Sequence, residues 1–256
     1  MQKTPVIVLH RYPFSESSFV VKALSPEMGV ISFMVKGARR KESKFRVALD
    51  PLAIAEVVYQ NASNRELQIP REATLLRYHE HLRGNLLSLA MAQVMSEVVL
   101  RISLAGGHFQ EEYALLKDSL SNLDQEHPQT NQTFALANFL RGLAEGLGIG
   151  FRLDACIECH DPLKTPPADL WPALGGGVCS KCLGTRHAGW TQDFLVQMFD
   201  FITKSVTYGA PMRLEHFFIQ FLKIHTGQSL AIRSLEWLET VRKVPSTKGS
   251  DHAASQ

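Results

Sequence analysis

Residues 30–46 read Val30-Ile31-Ser32-Phe33-Met34-Val35-Lys36-Gly37-Ala38-Arg39-Arg40-Lys41-Glu42-Ser43-Lys44-Phe45-Arg46. The first half alternates: Ile31, Phe33 and Val35 fall on one side of an extended chain, and Ser32, Met34 and Lys36 on the other. That is the period-two pattern of an antiparallel strand with one buried face. Upstream, residues 6–9 and 19–24 are short runs rich in β-branched and aromatic residues. They are separated from the alternating run by Ser25-Pro26-Glu27-Met28-Gly29, where Pro26 presets φ and Gly29 can take φ > 0. Downstream, residues 52–59 and 66–69 read as two more strands around a turn at residues 61–64. Five short strands in some seventy residues favour a small closed barrel, since closure removes exposed edges. Pattern alone leaves an SH3-like barrel or an open meander as alternatives.

From Glu72 the period becomes helical. Residues 85–104, 111–123, 132–147, 192–206, 214–225 and 230–243 each carry apolar residues at three- and four-residue spacing. Gly106-Gly107 and a loop at 127–130 break the series, Thr191 is placed to cap the 192–206 helix with Asp193 in its first turn, and Glu111-Glu112 suit a helix N-terminus. The layout is α+β and multi-domain: a small barrel over 1–71, an all-α domain over 72–243 with a Cys-rich insertion at about 152–189, and a disordered polar tail over 244–256. The 256 residues carry 27 Lys and Arg against 25 Asp and Glu. That balance excludes a histone-like polycation and a generally disordered chain. No apolar stretch is long enough for a membrane helix, and residues 6–9 are too short for the apolar region of a secretory signal. The expectation is a soluble cytosolic protein whose cysteines sit in a reducing compartment.

All four cysteines fall into two pairs, Cys156-Ile157-Glu158-Cys159 and Cys179-Ser180-Lys181-Cys182. Two C-x2-C turns at this separation have zinc-ribbon spacing: each turn brings two thiolates to one ion, and two turns complete a tetrahedron. Four thiolates fill the coordination shell, so one Zn²⁺ per chain would be structural rather than catalytic. Two rivals use the same residues. Cys156-Ile157-Glu158-Cys159-His160 matches the C-x-x-C-H haem-attachment signal but leaves the second pair idle. A four-thiolate iron–sulfur centre would use all four, although the common cluster spacings differ.

The other signal is the second half of the opening stretch. Lys36, Arg39, Arg40, Lys41, Lys44 and Arg46 with the single acid Glu42 put +5 into eleven residues and leave −3 for the rest of the chain. A charge run is ordinarily a solvated loop, but this one leaves a strand of a small barrel, where oligonucleotides are gripped. Arginine forks and lysine point charges would meet phosphates there. Arg152, Lys164, Lys181 and Arg186 in the insertion are partly offset by the thiolates. No P-loop, G-x-S-x-G or H-E-x-x-H motif is present, and the histidines are scattered, so the expectation is binding rather than catalysis. The alternatives are a zinc-containing RNA-binding or transcription factor on the same barrel, and an enzyme with unrecognised catalytic residues.

These residues in order resemble the RecO family of recombination mediators. The resemblance is carried by Val8-Leu9-His10-Arg11-Tyr12 with Ser15-Glu16-Ser17-Ser18, Pro26-Glu27-x-Gly29, Lys36-Gly37-Ala38-Arg39-Arg40, the glycines of 146–150 leading into Cys156, and Gly176-Gly177-Val178-Cys179. It runs to about Lys243. It implies an N-terminal OB-fold barrel, a helical domain and a zinc-binding insertion. It also implies binding of single- and double-stranded DNA, annealing of complementary strands, and work with RecR to load RecA onto strands coated by single-strand-binding protein (SSB). The acidic SSB tail would dock in the helical domain, where Arg141 is the basic candidate before Cys156. The protein would be cytoplasmic and join the nucleoid during repair.

Overall fold

The computed structural model describes residues 1–61, 66–102, 109–126 and 133–244. Most of the 61–64 turn, Gly106-Gly107, the 127–130 loop and the tail after Val244 lie outside the described residues. Strands β1 (Gln2–Pro13), β2 (Phe19–Ser25) and β3 (Gly29–Val35) form an antiparallel meander, joined through the short helix α1 (Phe45–Ala48) to β4 (Ile54–Tyr59) and β5 (Pro70–Arg77). Strand β4 pairs with the free edge of β1, which gives the sheet order β3-β2-β1-β4-β5. The ends meet at Gln68: its N–H donates to the Ser32 carbonyl and its carbonyl accepts from the Met34 N–H, both at 2.8 Å, in a parallel bridge with Phe33. This antiparallel sheet, with α1 between β3 and β4, is OB-like.

Side-chain alternation splits the sheet between two cores. Val6, Val8, Val21, Ala23, Phe33, Val35, Val57 and Tyr59 point inward, with Phe33 edge-on to Tyr59 at 5.3 Å, and Ala48 and Leu49 after the basic loop pack into the same interior. Ile7, Leu9, Leu24, Leu52 and Ile54 point outward into the core of the helical domain. Strand β1 is thus buried on both faces around residues 6–9, which explains why it reads as a continuous apolar run rather than an alternation. A register shift between Val8 and His10 then turns the strand's end toward solvent.

The helical domain comprises α2 (Glu80–Gly84), α3 (Leu86–Ile102), α4 (Gln110–Leu123), α5 (Ala135–Gly146), α7 (Gln192–Thr203), α8 (Pro211–Thr226) and α9 (Arg233–Lys243). Between α5 and α7 lies the insertion, with β6 (Asp169–Trp171), β7 (Gly176–Val178) and α6 (Ser180–Leu183). Helix α3 is central, burying Ala90, Met91, Val94, Met95, Val98 and Val99. Two polar ties hold α9 in place. The buried Glu215 of α8 takes a two-pronged grip from Arg242 at 2.6 and 2.7 Å, and Glu97 of α3 accepts the backbone and side chain of Ser234 at α9's N-terminus.

Two elements differ from their sequence reading. The strand read at 66–69 contributes only the Gln68 bridge, and β5 occupies Pro70–Arg77, where the period had been taken as helical from Glu72. Only Pro70 is buried along β5, so neither period is written in its residues; pairing with β4 makes it a strand. Thr191 does occupy the N-cap position of α7, but its hydroxyl makes no cap bond and instead accepts from Arg213 at 2.8 Å.

Candidate metal centre and nucleic-acid interface

The insertion is built so that two turns face each other. In the first, the His160 N–H returns to the Cys156 carbonyl at 3.0 Å, and the Cys156 N–H donates to the Asp161 carbonyl at 2.8 Å. His160 takes φ 61° to close that turn and does not join the sulfur cluster. In the second, Cys179 sits at the N-cap of α6, so the backbone lifts both Cys179 and Cys182 to one side. The β6–β7 hairpin holds the turns together, because the Ile157 N–H donates to the Gly177 carbonyl at 2.9 Å. Gly177 has no room for a side chain: a Cβ there would lie 2.6 Å from Leu153 Cδ2 and 2.9 Å from Pro167 Cβ.

All four sulfurs lie within 4.8 Å of one another, with Cys159 Sγ 3.8 Å from Cys179 Sγ, and no disulfide joins any pair. A tetrahedral ion with metal–sulfur bonds of about 2.3 Å spaces its sulfurs about 3.8 Å apart, so the donor set fits such an ion. Burial would push the Cys156 thiol up, but backbone N–H groups of Cys159, Cys179 and Glu158 outweigh it and lower the group. The neighbouring sulfurs push Cys182 up and, against the Asp161 N–H, Cys159 as well, as crowded thiols do when one of them carries the negative charge. Arg186 braces the two turns. It donates to the Cys182 carbonyl at 2.7 Å and to Glu158 at 3.3 Å, and it stacks over Trp171 at 4.7 Å.

The basic residues of 36–46 lie on the β3–β4 connection, and the side chains of Lys36, Arg39, Arg40, Lys41, Lys44 and Arg46 are exposed. Ala38 is buried against the barrel and Gly37 turns at φ 70°, so the loop is anchored rather than free. Arg39 is spent locally: its backbone N–H donates to the Ser17 carbonyl and its guanidinium to the Ser15 carbonyl. Among the described residues no carboxylate pairs with Lys36, Arg40, Lys41, Lys44 or Arg46. The loop divides two grooves. One, of about 770 Å³, runs between Lys36, Arg40, Lys44 and residues 71–74 of β5. The other, of about 540 Å³, runs between Lys36, Arg40 and residues 14–18 of the β1–β2 loop, beside the exposed Phe14.

Arg141 on α5 is half-buried; it donates to Glu145 and to the Phe201 carbonyl, both at 2.9 Å, and lies over the Phe201 ring. The sequence reading missed Arg71, which faces the loop across the larger groove and lies outside any charge run.

Residues 1–79 match the family model described as recombination protein O N terminal, and residues 83–201 the one described as recombination protein O C terminal. Among similar proteins, a DNA repair protein RecO of Anaeromyxobacter sp. (strain K) is 29% identical over 69% of this chain and 68% of its own length. One from Geobacter metallireducens is 28% identical over 70% of this chain and 72% of its own. One from Synechococcus sp. (strain JA-3-3Ab) is 25% identical over 97% of this chain and 91% of its own. With two matched models meeting near the junction of barrel and helices, the chain belongs to the RecO family of DNA repair and recombination proteins.

Proposed function

We propose that the protein is a DNA-binding recombination mediator that grips strands on the barrel loop through Lys36, Arg39, Arg40, Lys41, Lys44 and Arg46, and that its four cysteines hold one structural Zn²⁺. The observation that carries the reading is the anchored loop whose cations, among the described residues, have no carboxylate partner and stand between two grooves, the Arg39 guanidinium alone donating to a backbone carbonyl. Charges left unpaired on a folded surface are available to phosphates, and a loop with a groove on each flank offers its lysines and arginines to a backbone on either side. Mediation of this kind needs no catalytic group. Neutralising phosphates lets complementary strands approach, and this is the step the protein would perform on single- and double-stranded DNA in the cytoplasm.

RecR, RecA and the acidic SSB tail enter as partners through the family. An acidic tail reaching Arg141 would meet a guanidinium whose Nε donates to Glu145 and whose Nη1 donates to the Phe201 carbonyl, so Nη2 is the nitrogen left to receive it. The test is strand binding and annealing with Arg39, Arg40 and Lys41 replaced together by alanine. Log affinity of the unaltered protein should fall with log salt at a slope of about −3 to −4, and the triple variant should flatten it and slow annealing for all sequences alike. Unchanged slope and affinity would remove the loop from the reading. Elemental analysis should return one zinc per chain; iron would overturn the metal assignment.

A further inference from the structure

A cleft of about 700 Å³ separates the outward face of the barrel from the helical domain, and the loop reading above does not use it. Its barrel wall carries His10 and Tyr12 of β1 and Lys22 of β2; its helical wall carries Glu97 and Arg101 of α3 and Arg233 of α9. Three cations face one carboxylate; Glu97 pairs with Arg101 at 3.3 Å and accepts from Ser234, so the uncompensated positive charge of the cleft lies on Lys22 and Arg233. Among the described residues no carboxylate pairs with Lys22 or Arg233, and Lys22 spends one donor on Ser32 at 2.6 Å. Tyr12 lines the cleft, is 43% exposed and rests edge-on against His10 at 4.1 Å, a contact that leaves much of its ring accessible.

The cleft is also continuous with the loop. In the sheet register Tyr12 pairs with Val20, and Val20 with Met34. Met34 floors the groove beside Lys36 and Arg40, so the loop groove and the cleft are two strand spacings apart, about 10 Å, across one row of the sheet. An exposed aromatic face and unpaired cations in line with a phosphate-binding loop are the two parts of a single-strand path: bases stack and the backbone is neutralised. An acidic peptide could meet the cations but has no base to stack, and duplex would not offer bases to Tyr12; a single strand uses both features.

We propose that the cleft between barrel and helical domain is a second station for the same single strand, where Tyr12 stacks an unpaired base while Lys22 and Arg233 meet its phosphates. The proposal rests on the DNA-binding reading of the loop and extends it to the helical domain. A short strand can occupy the loop alone, whereas a longer one reaches the cleft.

The experiment measures binding of a thymidine dinucleotide and of an oligothymidylate of about 20 nucleotides: at about 3.4 Å or more per nucleotide, the first is too short to bridge the ~10 Å between the stations and the second spans it easily. The proteins are the full chain, Tyr12→Ala, Tyr12→Phe, Arg233→Ala and the triple loop variant. Tyr12→Ala and Arg233→Ala should weaken the long strand by about tenfold and leave the short one nearly unchanged, and Tyr12→Phe should restore long-strand affinity because the ring is kept. An iodouracil-substituted long strand should photo-crosslink to Tyr12. If the triple loop variant loses both lengths while the cleft variants lose neither and Tyr12 does not crosslink, the cleft proposal falls and the loop reading stands. If the triple loop variant loses nothing, the loop reading itself has failed. Long-strand affinity lost equally by Tyr12→Ala and Tyr12→Phe, without crosslinking, would also overturn the stacking role.

Discussion

His79 opens α2 with φ 60°, almost fully buried, and its Nδ1 lies 2.9 Å from the Leu52 carbonyl oxygen. A carbonyl only accepts, so Nδ1 carries the hydrogen and Nε2, buried without a partner, is the bare nitrogen. Protonation would place a second N–H where nothing receives it. Burial therefore holds the pKa of His79 below its ordinary value, with Arg77 and Arg83 pushing the same way and the Leu52 carbonyl and Asp124 opposing. The unfolded chain takes up this proton near pH 6.5 and the folded chain does so only at lower pH. Stability is fully present above about 6.5 and is lost as pH falls toward the folded value. His79→Asn keeps a side chain tolerant of positive φ and cannot titrate. Urea midpoints at about pH 7.5 and 5.5 should differ less for the variant than for the unaltered protein; equal differences would assign the acid sensitivity elsewhere. Gly177 makes a second point at this scale. Gly177→Ala drives a methyl into Leu153 and the rigid Pro167 ring, so a loss of about 1–3 kcal/mol is expected, with weaker metal retention on dialysis.

Among the elements, the insertion is the one whose stability would be tied to an ion, if its four cysteines hold the proposed Zn²⁺. Its hairpin strands are three residues each and α6 has four, too little structure to hold four thiolates together without a metal. Cys179→Ser should release zinc and raise amide exchange across the turns at 156–159 and 179–182, while barrel amides keep their protection; a collapse of barrel protection would show that the turns support more than themselves. The insertion also shows what sequence can carry. Its ligands were legible because two turns of fixed spacing need no distant contact to define them. Helices α3, α8 and α9 were legible because apolar residues recur along each at three- and four-residue spacing, although α3 is buried around most of its circumference. Strand β5 was not, because its identity comes from β4 across the sheet, and the ends of β1 beyond residues 6–9 were not, because polar residues there extend a strand only by pairing. The cleft was invisible for the same reason: Tyr12, Arg101 and Arg233 are remote along the chain and meet only because barrel and helices pack together.

That packing decides how the whole molecule behaves. Ile7, Leu9, Leu24, Leu52 and Ile54 belong to the barrel by sequence and to the helical core by burial, each no more than 4% exposed. A polar contact crosses the same seam, with Asp50 of the barrel, itself held by Arg11 of β1 at 2.8 Å, paired to Arg83 of α2 at 2.9 Å. Five large apolar side chains at about 1.5–3 kcal/mol each amount to something on the order of 10 kcal/mol, comparable with the total stability of a typical domain. A fragment of residues 1–79 would expose this face to water, and a domain of that size has little stability in reserve. The fragment is therefore expected to be unfolded or aggregated, and the full chain to lose barrel and helical structure in one transition. Thermal unfolding followed both by hydrogen exchange of barrel amides and by helical circular dichroism checks this. Coincident midpoints are expected, whereas a well-folded monomeric fragment, or two separated transitions, would mean that the barrel stands without the helices and that the seam is a docking contact rather than a shared core.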